Sequence, residues 1–509
     1  MPQDNPDTLI IGGGIAGLSA ALHLAERGLR PTLLEADPRF IGGRLAGGEE
    51  VVVDGWRFRL EHGVHGIWAP YRNFQAMLAR HSLRPVLVPA TEESWYFQRE
   101  LDIQWAPVGS AIRHSWFPAP FHYIHLFLRP RFLRILTFDD WLFLFQVLID
   151  LLTFTGIDPF GENLPLERLR LSHMVYYWPA PLRSFFVGLA RNGLTARPDE
   201  IPLAGFIAFL RFYTLLRRDT WEFGYLPNDG GSSVCEPLAA RITQLGGEIC
   251  LGRRATRLER QEDGWQVHWQ ASDGLPGVTS ARQVILALDA ASARQLLLAS
   301  PGCDLSSRYF SISAKTAIAR FWFDRPPRPG PEAGIFTGEF VSDNFFWLHR
   351  LYDPYRVWAR HTGGSALEVH FYGPPELLEN SDPILLGFAR REVLSSFPEL
   401  RGHVVCQHLQ RNPASHTLPS VGPAAQHLGI VTPWPNLFCC GDWVRHPSPA
   451  FFLERACVTG IVAANAVLQT SGRPAWPLLE YLPPEPLAQA IGNMVRAGRR
   501  LQQIGKKAR

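Results

Sequence analysis

The sequence predicts an α/β chain in which a Rossmann-like cofactor domain is interleaved with an α+β domain and a helical, strongly apolar region. Three observations predict it. A strand, a glycine turn and a helix open the chain, two later stretches return to the same kind of strand, and helices loaded with aromatic residues lie between them.

The first element is Thr8-Leu9-Ile10-Ile11-Gly12-Gly13-Gly14-Ile15-Ala16-Gly17-Leu18, an apolar strand turning through glycines into a helix. Such a segment is a dinucleotide site. Gly12 permits the tight turn, Gly14 lets the backbone approach a pyrophosphate, and Gly17 lets the helix pack closely on its strand. Phosphates would sit on the helix N-terminus, where unpaired N–H groups and the positive end of the helix dipole favour an anion.

A second apolar run, Arg30 to Leu34, ends at Glu35, about 20 residues on as the motif requires. Its carboxylate would accept from adenosine ribose hydroxyls and repel a 2′-phosphate, so an unphosphorylated adenosine cofactor is expected. A glycine turn in some other α/β unit, with a surface Glu, is the competing interpretation. Gly42-Gly43-Arg44 follows at once. A glycine pair and an arginine beside the same phosphates suit a longer cofactor lying extended across the domain.

With that Gly-Gly-Arg the chain resembles the flavin-containing amine oxidoreductases. The resemblance recurs at Asn436-Leu437-Phe438-Cys439-Cys440-Gly441-Asp442, where the family's Asp binds the flavin ribitol. It continues in Pro449 to Leu468, a helix expected to begin near Ala450, with Glu454, Ala456 and Gly460 matching the helix beneath the flavin ring. Its N-terminus would stabilise negative charge on the reduced ring. Arg455 departs from the pattern, where a glycine is usual, which puts the close packing there in doubt.

The middle block is Leu226-Pro227-Asn228-Asp229-Gly230-Gly231, a helix from about Val234 to Leu245, and Gly246-Gly247-Glu248-Ile249 leading to a strand through Arg257-Leu258. The strand Gln283 to Leu288, followed by Asp289-Ala290, closes the unit. Four blocks in this order imply FAD in a domain of glutathione-reductase type. The resemblance implies cofactor binding by Gly12, Gly14, Ile15, Ala16, Gly17, Glu35, Ala36, Gly42, Gly43, Arg44, Gly63, His65, Thr256, Gly441, Asp442 and Ala450. The expected FAD-binding segments are 1–85, 223–300 and 426–475, the substrate domain takes 86–222 and 301–425, and 476–509 is a basic helical tail.

Composition fits a large globular protein: 509 residues, 46% hydrophobic, 19% charged and net charge +3. So small an excess of charge, with no basic run interleaved with stacking aromatics, gives no sign of a nucleic-acid partner. Seven cysteines lack metal spacing. Cys406-Gln407-His408 is half of a Rieske-like ligand pattern, but no Cys-x-x-His follows it. The thiols are expected to be reduced. Met1 to Pro6 lacks the features of an export signal, and a cytoplasmic location, peripheral to a membrane, is expected. Pro326 to Pro331 reads as an exposed connection.

From Trp116 to Gly156 the chain is unusually aromatic, with Phe121, Tyr123, Phe127, Phe132, Phe138, Trp141, Phe143, Phe145 and Phe154. Arg129, Arg131, Arg134, Asp139 and Asp140 interrupt it, so no stretch reaches the ~18 to 20 apolar residues of a spanning helix. Apolar helices with basic flanks fit a surface that dips into the interface of a bilayer. Leu203 to Leu216 is a second such block. Both also fit the core of a helical substrate domain, and the two readings can hold together. Arg496, Arg499, Arg500, Lys506 and Lys507 on the terminal helix would meet either anionic lipid or solvent.

Glu61-His62-Gly63-Val64-His65-Gly66-Ile67-Trp68 with Tyr71-Arg72-Asn73 resembles a block of the plant-type phytoene and ζ-carotene desaturases, which carry a Gly-x-His and then a Tyr-x-Asn. Thr316 to Phe323 with Asp324-Arg325 is similar to theirs. Asn344 to Leu348, Thr362 to Ser365 and Gln410 to Pro413 resemble the β-carotene desaturase/methyltransferases of isorenieratene synthase type. These resemblances imply desaturation of a carotenoid-like polyene with hydride transfer to flavin N5, with ring aromatisation and methyl migration as one form. A membrane surface and a quinone-type electron acceptor are the expected partners.

His65 is the candidate catalytic group, with a structural histidine bonded to backbone or flavin as the alternative. Glu61 and His62 are expected at the surface or behind the site, and Glu454 on Arg44 or another buried partner. Two alternatives share the fold. In an amine oxidase the near-flavin lysine would fall at about Ile318, with Lys315 three residues out of register, and Phe452 would be a tyrosine. A prenyl-binding escort protein would need no flavin, against which the intact glycines, Glu35, Arg44 and Asp442 argue.

Overall fold

A computed structural model of the chain describes residues 7–159, 166, 169–418 and 426–507, with side chains as far as Leu501. Met1 to Pro6 and the side chains of Lys506 and Lys507 lie outside the described residues.

Five strands form one wholly parallel sheet in the order Glu248–Cys250, Thr32–Leu34, Thr8–Ile11, Gln283–Leu286, Leu437–Cys439. Thr8–Ile11 is central and buried at every residue, which is why it reads as an unbroken apolar run rather than an alternating one. Chain-early and chain-late strands therefore lie side by side. The helices Ile15–Ala25 and Phe452–Thr470 pack against each other over this sheet. Gly460 makes that crossing possible, because a Cβ there would sit 2.4 Å from the Ala16 carbonyl oxygen.

Several boundaries differ from expectation. The helix expected near Ala450 begins at Phe452, because Phe451 is still extended. The helix expected from Val234 begins with a wide turn over Gly231–Cys235 and continues as Glu236–Gln244.

Seven strands form the second sheet, in the order Val404–Asn412, Thr316–Phe323, Ser365–Phe371, Asn344–Trp347, Ala333–Gly338, Glu93–Arg99, Asp102–Pro107. Strand alternation gives it two unlike faces. Ala317, Ala319, Phe321 and Phe323, with Leu367, Val369 and Phe371, pack into an apolar cluster with Leu385, Ala389 and Val393 of the helix Asp382–Ser396. The opposite face carries Ile318, Arg320, Glu368, His370 and Gln410, cross-strand neighbours on three adjacent strands. That face meets the first sheet's domain: Arg320 Nη2 donates to the Glu61 carbonyl at 2.8 Å, and Asn412 Nδ2 to that of His62 at 3.2 Å.

The aromatic segment folds as a 3-10 run, Phe121–Leu128, and the helices Pro130–Ile135 and Phe138–Thr155. Thr137 and Asp140 cap the last of these reciprocally. The two apolar blocks separate in character. Leu203–Leu210 is buried at every residue, so of the two expected readings it takes that of core. Phe138–Thr155 leaves Phe138, Trp141, Leu142, Phe143 and Phe145 exposed. Its end packs on the C-terminal helix Pro486–Lys507 where Gly156 and Gly492 let the backbones approach. Among the described residues, no helix is long and apolar enough to cross a membrane.

Candidate functional site

One cavity of about 1010 Å³ runs from the glycine turn at Gly12 to aromatic walls beyond Trp68. At its first end Gly12 adopts φ +108°, which only glycine accepts readily, and a Cβ at Gly17 would lie 2.0 Å from the Gly12 carbonyl oxygen. Gly14 faces open space, and no side chain caps the helix that begins at Ile15. Free backbone donors facing an unfilled space suit a pyrophosphate. Glu35 borders the same space. Its Oε2 accepts from the Gly13 amide and its Oε1 from the Asp37 amide, both at 2.8 Å, so the carboxylate fixes the turn and keeps lone pairs for a ribose.

Ile15, Ala16, Ala36, Gly42, Arg44, Gly63, His65, Thr256, Gly441 and Asp442 also line the cavity. Gly17 and Gly43 do not; Gly17 lies behind the turn, and a Cβ on Gly43 would face the Gly14 Cα at 3.5 Å. Ala450 is buried two residues before its helix, and Phe452, Leu453 and Ala456 line the cavity in its place. Arg44 reaches Asp442 at 2.8 Å. Glu454 has other partners: the Asn73 and Phe74 amides, the Asn73 side chain and the Tyr481 hydroxyl, each at 2.9 Å. Arg455 turns away from the cavity wall formed by Ala456. Its buried guanidinium donates to the carbonyls of Val444, His446, Ser448 and Ala450, and burial lowers its pKa to about 10. The side chain thus fills the turn before the helix, and the close packing there survives the loss of glycine.

Glu61 and His62 are not surface residues. Glu61 is 4% exposed and accepts from the Gly230 amide at 2.6 Å and from the Tyr352 hydroxyl. His62 lines the cavity with Nδ1 3.3 Å from the Arg44 carbonyl oxygen, and burial pulls its pKa down to about 4. His65 lies on the same wall. Its Nδ1 has no hydrogen-bond partner, the Glu61 carboxylate being 3.8 Å away and out of range.

The facing wall holds a polar chain with no counterpart in the expected site. Arg320 Nε meets Glu368 Oε2 at 2.7 Å, and its Nη1 donates to Gln410 Oε1 at 2.6 Å. Glu368 Oε1 also accepts from the Val64 amide at 3.0 Å and lies 2.6 Å from His370 Nε2. Burial alone would raise the Glu368 pKa, but the Arg320 charge and the His370 bond outweigh it and hold it at about 2. His370 Nδ1 is 2.6 Å from the Tyr372 hydroxyl, which takes a 3.2 Å bond from Asn344 Nδ2. Asn344, His370 and Tyr372 line the cavity. Gly63, at φ +134°, fits here because a Cβ would lie 2.9 Å from His370 Cε1. The sequence signal was the alternation Glu368-x-His370-x-Tyr372, polar at every second residue in a strand otherwise apolar.

His370, which lines the cavity, has Ile318 directly opposite it on the neighbouring strand. Beyond it the lining is rich in large apolar and aromatic side chains: Leu189, Phe209, Tyr213, Phe223 and Phe346. Glu93 lines the same cavity, and burial pushes its pKa up to about 7 against the pull of Arg113 at 3.2 Å.

Residues 15–468 match the family of flavin containing amine oxidoreductases. Among curated proteins, a carotenoid phi-ring synthase of Streptomyces griseus is 28% identical over 498 residues, covering 92% of this chain and 89% of that protein. The carotenoid phi-ring synthase of Chlorobaculum tepidum is 23% identical, covering 90% and 88%. A 15-cis-phytoene desaturase from an Oncidium hybrid cultivar is also 23% identical, covering 92% and 78%. Among solved structures, putrescine oxidase bound to putrescine aligns with TM-score 0.66 at 13% identity, covering 92% of this chain and 100% of that one. Cyclohexylamine oxidase from Brevibacterium oxydans aligns with TM-score 0.64 at 14% identity, covering 92% and 100%. The chain therefore belongs to the flavin containing amine oxidoreductase family and is an FAD-dependent oxidoreductase related to carotenoid phi-ring synthases and phytoene desaturases.

Proposed function

We propose that this enzyme desaturates a long apolar polyene of the carotenoid class, and that its favoured substrate is a β-ring whose desaturation ends in an aromatic ring after methyl migration. The observation that carries this is the continuity of the cavity. One space of about 1010 Å³ joins the glycine cradle to side chains of Leu189, Phe209, Tyr213, Phe223 and Phe346, where a hydrocarbon is favoured. The names of the two bacterial relatives support the ring reaction over chain desaturation.

Bound FAD supplies the hydride acceptor. In this reading Gly12, Gly14, Ile15 and Ala16 hold the pyrophosphate with Gly17 packing the helix behind them, Glu35 and Ala36 hold the adenosine, Gly42 and Arg44 the phosphates with Gly43 shaping their turn against Gly14, and Gly441 and Asp442 the ribitol. Gly63, His65 and Thr256 complete the enclosure, together with Phe452, Leu453 and Ala456 of the helix that follows Ala450. The apolar walls orient the polyene and keep water from the carbocation that hydride loss creates, while the π-system of the polyene spreads its charge.

Such a substrate dissolves in bilayers, and the exposed Phe138, Trp141, Phe143 and Phe145 form an apolar face suited to resting in an interface. Trp116, Tyr176 and Tyr177 add further exposed rings. A quinone-class acceptor dissolved in the same membrane would reoxidise the flavin. The test is to incubate FAD-loaded protein with β-carotene, γ-carotene, ζ-carotene or phytoene in liposomes with a quinone, following spectrum and product mass. An aromatic ring with a migrated methyl is the expected product. A linear carotene losing two hydrogens per step would favour chain desaturation, and flavin reduction by simple amines alone would defeat both.

A further inference from the structure

Desaturation removes a proton as well as a hydride, and His65 is poorly placed to take it. Its Nδ1 has no hydrogen-bond partner among the described residues, and the Glu61 carboxylate lies 3.8 Å away. The opposite wall offers a connected alternative. Tyr372, His370 and Glu368 are aligned by two 2.6 Å contacts, from the phenol to Nδ1 and from Nε2 to the carboxylate. All three are buried, and Tyr372 and His370 line the cavity. Arg320 anchors Glu368 from behind at 2.7 Å. A carboxylate so held keeps a proton on Nε2 and leaves Nδ1 as the acceptor for the phenol. The phenol oxygen also receives the Asn344 amide, which stabilises it as its own proton leaves.

We propose that Tyr372 is the catalytic base of the desaturation, with His370 and Glu368 as the groups that accept and stabilise its proton; this rests on the reading of the substrate as a polyene. One substrate C–H bond breaks with its electron pair going to oxidised FAD as hydride. The neighbouring C–H bond breaks with its proton going to the Tyr372 oxygen, and its electron pair forms the new C=C bond. As the phenol oxygen gains that proton it gives its own to His370 Nδ1, and the imidazolium so formed pairs with Glu368. The substrate loses two hydrogens and two electrons. The proton leaves to water when the product departs. A bracing role for the same network would need only the contacts of Glu368 with Arg320 and the Val64 amide, which the Tyr372 hydroxyl does not touch.

The experiment compares wild type, Tyr372→Phe and His370→Gln as FAD holoenzymes, on whichever carotene the wild type converts. Expected for Tyr372→Phe is a kcat lower by ~10²- to 10⁴-fold, the usual contribution of a positioned base. KM, bound FAD and Tm should stay at wild-type values, and the solvent deuterium isotope effect of the wild type should be lost. His370→Gln should lower kcat as well, and the double variant should be no worse than Tyr372→Phe alone. A Tyr372→Phe enzyme with wild-type kcat overturns the proposal, as does a fall in kcat that tracks loss of FAD or of Tm. A wild type that converts no carotene defeats the functional reading and, with it, this one; the wild-type control separates that result from failure of the base alone.

Discussion

Arg44 Nη2 lies 2.8 Å from Asp442 Oδ2, so two motif blocks 398 residues apart in the chain meet as one ion pair at the edge of the cavity. The Asp442 side chain is 4% exposed and that of Arg44 28%. If Asp442 holds the ribitol as proposed, removing it should weaken FAD binding, both by that loss and by freeing the Arg44 guanidinium. At ~1.5 to 3 kcal/mol for a charge-assisted hydrogen bond, Asp442→Ala should raise the FAD dissociation constant by ~10- to 100-fold in a fluorescence titration. Unchanged affinity would remove Asp442 from the cofactor site.

The glycines divide into two kinds. Gly14 faces open space, so Gly14→Ala should leave the Tm of the FAD-free protein unchanged while blocking FAD uptake. Gly460 presses on the Ala16 carbonyl, so Gly460→Ala should destabilise the folded chain by ~1 to 3 kcal/mol, the usual cost of overpacking. Calorimetry with and without FAD distinguishes the two. Equal Tm losses in both variants would contradict the assignment.

Acid should unfold the protein through its histidines. Burial holds His23, His122 and His427 at a pKa of about 4, against 6.5 when unfolded. The unfolded chain therefore binds more protons between those values, and stability falls as pH drops from 6.5 through 4. Each group contributes about 3 kcal/mol across that window. Replacing His122 with Gln should reduce the proton uptake on unfolding at pH 5 by close to one, read from the pH dependence of denaturant unfolding. An unchanged slope would mean that His122 opens to water without unfolding.

The exposed rings give a test of membrane contact independent of catalysis. Trp141 and Phe145 are 46% and 71% exposed, so Trp141→Asp and Phe145→Asp should leave Tm unchanged. Each ring withdrawn from a bilayer forfeits ~1.5 to 3 kcal/mol, and co-sedimentation with liposomes should fall by ~10-fold or more per variant. Wild-type sedimentation of the double variant would place the contact elsewhere.

What the sequence made legible was set by backbone geometry. Gly12, Gly17 and Gly42 announce themselves because glycine alone tolerates their conformation or contacts. Glu35 follows from its distance to them. Tertiary pairing hid the rest. Glu61 and His62 leave surface and buried placement open, until Gly230, Tyr352 and Arg320, all far away in sequence, are seen to enclose the turn they share. Leu203 to Leu216 and Trp116 to Gly156 have similar composition, yet one became core and the other kept an exposed face. Hydrophobicity measures transfer from water and does not say what replaces it.

The parallel sheet also has a consequence for biosynthesis. Its edge strand, Leu437–Cys439, pairs with Gln283–Leu286, and the cavity wall at Gly441, Phe452 and Ala456 comes later still in the chain. A ribosome-bound chain that has emerged only as far as residue 400 holds the opening glycine turn but neither Asp442 nor the helix that seals the cofactor. Capture of FAD must then wait until the chain has been made as far as that helix. Until that moment the glycine turn and Arg44 border a space that lacks one of its walls, so a chain stalled before Asp442 has nothing with which to close around the cofactor.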